Sequence, residues 1–263
     1  FALPVAGDND IQIINNLRDQ VQSLKEMWTG RTPAGIPMVP DELTEATFYG
    51  REDVAALLDE GKVPLGLDLE TVEPVTWDLK KGNLLYLTDK EEQMTQFVKQ
   101  IARSKQKVIV LAPAYNELPE MEGVTILSTK EAYVAGIKKM EENIQLRLEQ
   151  QKSQHEATIV LYNQLELMND LSMDLQSSLN YVLEKGARAG YATVAMSGSQ
   201  LNRKIDEVSK SIKLYKQAIV AMRITDQSVL NVINRPVREE PLDSQVNYYV
   251  EDGFVRKVKV LMK

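Results

Sequence analysis

The sequence predicts an α/β fold of three layers: a mostly parallel sheet with helices on both faces. Short continuous apolar runs, such as Val108-Ile109-Val110-Leu111 and Val124 to Leu127, alternate with segments whose apolar residues recur at three- and four-residue spacing. The 263 residues are 43 % hydrophobic and 26 % charged, a globular balance with ample core to bury.

The elements follow in order. Ile14, Leu17, Val21, Leu24 and Trp28 form the stripe of one amphipathic helix, capped by Asp8 or Asp10 and ended by Gly30. Thr32 to Pro40 holds three prolines and reads as an extended connector. A short helix over Glu52 to Glu60 stops at Gly61. Strands are predicted at Val63 to Asp68, Val75 to Leu79 and Leu84 to Leu87. Glu91 to Arg103 is helical, with Met94, Phe97, Val98 and Ile101 on one face. Strands at Val108 to Leu111 and Val124 to Leu127 precede a long helix, opened by a Ser128/Glu131 capping box and with the stripe Tyr133, Ile137, Met140, Ile144 and Leu148. The second half continues with a strand at Thr158 to Tyr162, a mostly helical Leu165 to Lys185, and a strand at Tyr191 to Met196. A helix at Lys204 to Lys213 and closing strands at Gln217 to Ile224 and Phe254 to Met262 complete it.

Composition excludes several chemistries. There is no Cys and one histidine, so disulfides, thiolate sites and multi-histidine metal sites within this chain are ruled out. A formal charge of −7 disfavours non-specific nucleic-acid binding, which depends on Lys and Arg displacing counterions. No apolar run approaches the ~20 residues that span a bilayer. Phe1-Ala2-Leu3-Pro4 lacks the pattern of a signal peptide, and a start without Met predicts a piece cut from a longer chain. His155, in a polar stretch, is expected as an exposed loop or helix-end residue.

In open α/β sheets ligands bind beyond the carboxyl ends of the strands. After Leu84 to Leu87 a phosphate-binding loop would read G-x-x-x-x-G-K-[ST]. The chain has Thr88-Asp89-Lys90-Glu91-Glu92-Gln93-Met94-Thr95: the length and final Thr fit, while both glycines and the lysine are missing. Asp89, Glu91 and Glu92 place carboxylates where a triphosphate would carry its charge. After Ile159 to Tyr162, where such ATPases hold a magnesium-shell Asp and a water-activating Glu, stand Asn163 and Gln164. Neither can serve as a general base or hold Mg²⁺ by charge.

These residues carry a family resemblance. Val63-Pro64-Leu65-Gly66-Leu67-Asp68 with Val72-Glu73-Pro74-Val75, the block Asn163 to Met168, and Gly186-Ala187-Arg188-Ala189-Gly190-Tyr191-Ala192 resemble FtsK/SpoIIIE-type ATPase domains. The connector Ile36-Pro37-Met38-Val39-Pro40-Asp41-Glu42-Leu43 is similar to the link before the last ATPase domain of EssC-like type VII secretion proteins. The resemblance implies a P-loop NTPase (RecA/FtsK-like) fold. It divides the chain into a tail, helix and connector over 1–43, with Phe1 to Pro4 ending a preceding ATPase domain, and a degenerate ATPase domain over 44–263. It places Thr88, Gln93, Met94, Thr95, Asn163, Gln164 and Arg188 at the nucleotide site. Ala187 and Ala192 stand where the family has Arg and His, and Ser197-Gly198 where it has Thr-Gln.

Joint loss of these charged groups predicts a module that no longer hydrolyses ATP, with no catalytic residue, no metal and no ATP or Mg²⁺ cofactor. Its expected work is recognition of secreted helical proteins, through Met168, Met173 and Leu201 near the vacated nucleotide face, and their coupling to preceding ATPase domains of the same chain. The implied location is the cytoplasmic face of the cell membrane, anchored by an N-terminal part outside this sequence, with oligomerisation of the full protein. The alternatives are an ATPase with an unorthodox loop, gripping nucleotide through Lys90, Thr95 and Arg188, and a DNA-translocase end domain, which the acidic charge disfavours.

Overall fold

The computed structural model describes residues 9–28, 30, 38–79, 82–235 and 238–261. Two compact units divide the chain, Phe1–Met38 and Val39–Lys263. In the first, helix α1 spans Asp10–Met27, and its stripe from Ile14 to Trp28 is exposed. Its cap is Asn9, whose side chain accepts the Gln12 N–H at 3.0 Å, rather than an aspartate; Asp10 is already helical and Asp8 lies outside the described residues. Phe1 to Pro4 and most of the connector, residues 31–37, also lie outside them.

The second unit begins with α2 (Glu45–Tyr49) and α3 (Glu52–Asp59). The spacing signal misses α2 because five residues make barely one turn; a capping box between Thr44 and Thr47 defines it. The division before Val39 also differs from the boundary drawn after Leu43. Leu43 is buried with Phe48, Val54, Leu67 and Leu261, and its N–H and C=O both bond the Gln245 side chain.

Ten strands form one sheet: β1 (Val63–Asp68), β2 (Pro74–Trp77), β3 (Leu84–Leu87), β4 (Val108–Leu111), β5 (Val124–Leu127), β6 (Ala157–Leu161), β7 (Tyr191–Ser197), β8 (Gln217–Val220), β9 (Val246–Glu251) and β10 (Phe254–Lys259). Their spatial order is β2-β1-β10-β9-β8-β3-β7-β6-β4-β5. From β8 through β5 every pairing is parallel, and from β8 through β2 every pairing is antiparallel. The sheet is thus mixed, its parallel half carrying the alternation of strand and helix. β9 escaped the sequence reading; it forms a hairpin with β10 through Asp252-Gly253, both at positive φ.

Side chains alternate across the sheet, so successive residues of one strand reach opposite layers. Leu85, Leu87, Ile159 and Leu161 pack under α5 (Lys130–Glu149), α7 (Met173–Lys185) and α8 (Glu207–Lys213). Leu84, Tyr86, Val110 and Val160 pack under α4 (Glu91–Ala102) on the other face. Of the predicted stripe, Tyr133, Ile137, Met140 and Ile144 are core, each at most 4 % exposed, while Leu148 is half-buried against the same cluster. At Gly66 a Cβ would stand 2.2 Å from the Lys259 carbonyl, so the glycine permits β1 to lie against β10.

Local caps correct several boundaries. Thr129, not Ser128, caps α5 by accepting the Ala132 N–H at 3.2 Å. The helical stretch after Leu165 is two helices, α6 (Gln164–Asp170) and α7, separated by extended Leu171 and the cap Ser172. Asp206 starts α8 at Glu207, later than Lys204, by accepting the Ser209 N–H at 2.8 Å. β8 ends at Val220, four residues before Ile224, and β10 at Lys259; Met262 lies outside the described residues. His155 is exposed, as expected. Among the described residues no helix is long and apolar enough to cross a membrane.

Candidate functional site at the carboxyl edge of the parallel strands

β3, β6 and β7 run parallel, so the segments after Leu87, Leu161 and Ser197 meet at one edge of the sheet. Between β3 and α4 lie only Thr88, Asp89 and Lys90. α4 begins at Glu91, so Glu91 to Thr95 of the loop-like octet are already helical. Thr88 is fully buried: its N–H donates to the Ser197 carbonyl at 2.9 Å and its hydroxyl donates to Gln93 Oε1. The Lys90 N–H donates back to the Thr88 hydroxyl at 3.2 Å. The turn therefore closes on its own side chains, where a phosphate loop would turn its N–H groups outward.

Two of the acidic residues here, Asp89 and Glu91, have partners within the chain. Asp89 accepts from the Ser199 N–H at 2.8 Å and the Ser199 hydroxyl at 3.3 Å. A Cβ at Gly198 would stand 2.6 Å from Asp89 Oδ1, so a glycine there permits this approach. Glu91 Oε1 accepts from Asn116 Nδ2 at 2.8 Å and Asn163 Nδ2 at 3.4 Å. The Tyr162 hydroxyl donates to the Glu91 carbonyl at 3.2 Å and lies 2.9 Å from Thr95 Oγ1. Thr95, at the metal-binding position of a P-loop, is thereby tied to β6.

Asn163 caps α6 in the left-handed conformation, φ 45° and ψ 60°, which asparagine tolerates better than most residues. Its Nδ2 also donates to the Tyr115 hydroxyl at 3.2 Å. Gln164 is fully buried and faces the interior: Nε2 donates to Ser209 Oγ at 3.1 Å and Oε1 accepts from Ser197 Oγ at 3.2 Å. Met94, at the lysine position, is 3 % exposed and packs in the core under α4.

Thus Thr88, Gln93, Met94, Thr95, Asn163 and Gln164 gather at one edge. Arg188 does not join them. It lies in the 3-10 turn Gly186–Ala189 before β7, at the opposite end of a seven-residue strand about 20 Å long. Of the docking positions, Met173 is 84 % exposed and Met168 partly buried, whereas Leu201 is fully buried and presents nothing to a partner. Tyr115 and Asn116 were not singled out from sequence; the turn Pro113-Ala114-Tyr115-Asn116 after β4 was their only signal. Partial burial, then the negative charges of Glu166, Glu91 and Asp170, push the Tyr115 phenol above its ordinary pKa. A cavity of ≈ 400 Å³ flanks α4, lined by Leu65, Tyr86, Gln93, Phe97 and Asn247 with Lys90 at its rim. Among the described residues no group of three or more His, Asp or Glu is placed to hold a metal ion.

This topology, with its turns at the carboxyl edge, defines a P-loop NTPase-like α/β domain. No family model matches the chain. It is 25 % identical over 255 residues to the type VII secretion system protein EssC of Staphylococcus aureus (strain MRSA252), covering 93 % of this chain and 17 % of that protein. It is 27 % identical to the ESX secretion system protein YukB of Bacillus subtilis (strain 168), covering 98 % of this chain and 18 % of that protein. The chain thus spans less than a fifth of the length of these curated relatives. Among solved structures, EssC (ATPases 2 and 3) from Geobacillus thermodenitrificans superposes with a TM-score of 0.82 at 20 % identity, covering 98 % of this chain and 52 % of that one. Thermomonospora curvata EccC (ATPases 2 and 3), in complex with a signal sequence peptide, superposes with a TM-score of 0.65 at 17 % identity, covering all of this chain and 51 % of that one. The chain is thus similar in sequence to EssC-like type VII secretion proteins and shares the fold of EssC ATPase domains.

Proposed function

We propose that this domain is a non-hydrolytic module of a type VII secretion protein, which recognises secretion substrates at the cytoplasmic face of the membrane and couples them to other ATPase domains of the same protein. The observation that carries the reading is the closed β3–α4 turn. Thr88 and Gln93 satisfy each other, Asp89 takes the Ser199 N–H, and Glu91 takes the amides of Asn116 and Asn163. A triphosphate would have to displace carboxylates from donors it needs itself, with no lysine at Met94 and no carboxylate at Asn163 or Gln164 to hold Mg²⁺. These residues do not fit ATP-Mg²⁺, and no hydrolytic step is derived through it. Recognition is supported by the related EccC structure, which holds a signal sequence peptide. Exposed Met173 at the same edge adds a flexible apolar contact.

Calorimetric titration of the chain with ATP and Mg²⁺ tests the loss of nucleotide binding. Each missing charge-assisted phosphate contact removes about 1.5–3 kcal/mol, so no heat of binding is expected at micromolar nucleotide. Magnesium-dependent micromolar affinity would restore the reading of an ATPase with an unorthodox loop.

A further inference from the structure

The vacated edge carries a surface whose chemistry specifies its partner more narrowly than helical protein. Tyr115 is 61 % exposed and Met173 84 % exposed, and one chain of bonds joins them. The Ala114 N–H donates to Asp170 at 3.2 Å, Asp170 ends α6, and Gln176 of α7 donates to the carbonyls of Met168 and Leu171 at 3.1 Å each. The apolar contacts are therefore held on elements bonded to one another, and Met168 of α6 is partly buried against the core. Glu91, Glu166 and Asp170 act on Tyr115, Asn163 Nδ2 donating to both Glu91 and the Tyr115 hydroxyl, and Asp174 lies in the first turn of α7 beside Met173. Among the described residues the charges acting on the Tyr115 phenol are all negative. Beside Glu91, Asn116 Oδ1 is a buried acceptor without a donor, its amide nitrogen being spent on Glu91.

We infer that this patch docks a basic amphipathic helix, its apolar face on Tyr115, Met168 and Met173 and its Lys or Arg side chains among Glu91, Glu166 and Asp170. The inference rests on the recognition reading above and names the partner class. Charge complementarity selects the occupant: an acidic helix would meet the carboxylates beside Tyr115, whereas a cationic one neutralises them. The formal charge of −7 favours the same encounter at long range.

The probes are three synthetic helical peptides of about 18 residues, five turns, sharing one leucine face and carrying Lys, Gln or Glu on its flanks. Fluorescence anisotropy with the full chain should rank them Lys, then Gln, then Glu, and the preference should shrink as salt is raised from about 0.05 to 0.5 M. Met173→Asp and Glu166→Lys, both at exposed positions, should weaken the Lys peptide by about tenfold or more. Glu122→Lys, an exposed site before β5 at the amino edge, should not, and circular dichroism melts should show all three variants folded. Equal binding of the Lys and Glu peptides, or indifference to both patch variants, would overturn the inference. Capture of the cognate secretion substrate, read in parallel, separates the two levels. Capture lost with Met173→Asp but without preference for Lys peptides leaves recognition standing and overturns its basic chemistry. Lys-peptide docking lost in the variants while substrate capture persists supports the docking surface and overturns its use for substrate.

Discussion

Gln164 shows how one side chain can change its employment while keeping its shape. It stands where an ATPase of this type would hold a water-activating Glu, yet it is fully buried between Ser197 of β7 and Ser209 of α8. An amide suits that place because it donates to one hydroxyl and accepts from the other, which a carboxylate cannot do. The double variant Asn163→Asp, Gln164→Glu should therefore yield no phosphate release above background, since the returned carboxylates lack a phosphate cradle to act on. It should also unfold more easily. The new Glu would be held protonated by burial, its folded pKa raised above the ordinary value of about 4.3. The unfolded state alone would then release the proton, so the loss of stability relative to the parent should grow as pH rises above about 4.3. Chemical denaturation at several pH values checks this; a constant difference from the parent, or measurable turnover, would contradict it.

At the scale of elements, α4 explains why the phosphate loop cannot be rebuilt by two substitutions. The helix starts at Glu91, and Gln93 and Met94 lie in its first turns with their side chains buried. Gln93→Gly with Met94→Lys would restore the loop's residue types. It would also remove the Thr88 partner, place glycine in a helix at about 1 kcal/mol, and set an ammonium in the core under α4. Burying an unpaired polar group adds about 1–3 kcal/mol, more for a charge. The variant should melt well below the parent without gaining nucleotide affinity; an unchanged melting temperature would show that α4 tolerates a later, loop-like start. Much of this was legible in the sequence. Continuous apolar runs gave β3, β4 and β6, and the missing glycines and lysine marked the altered turn. The Thr88–Gln93 pairing, the inward face of Gln164 and the remoteness of Arg188 were not legible, because each depends on long-range packing or strand direction rather than local spacing. β9 was missed for a related reason: Val246 to Glu251 mixes polar and aromatic residues, and its hairpin with β10 is what makes it a strand.

For the whole molecule, the question is where the folded unit begins. The hydrophobic clusters of the second unit draw every residue from Leu43 onward, so removal of residues 1–38 should leave its melting temperature nearly unchanged. Removal of residues 1–43, the boundary suggested by the connector motif, is a different operation. It deletes Leu43, which is 1 % exposed, and with it about 1.5–3 kcal/mol of apolar burial. It also strips the buried Gln245 side chain of the Leu43 N–H and C=O, and the Lys259 ammonium of the Asp41 carbonyl it donates to. Lys259 is only 8 % exposed, so its loss of an acceptor adds a desolvation cost of about 1–3 kcal/mol or more. Calorimetric melts of chains starting at residue 39 and at residue 44 should therefore differ sharply, the shorter one melting several degrees lower or failing to fold. Leu43→Ala in the longer chain isolates the apolar part and should reproduce a fraction of that fall. Equal melting of the two truncations would mean that the strand-side cluster of Phe48, Val54, Leu67 and Leu261 closes without Leu43, and that the folded unit starts where the sequence motif ends.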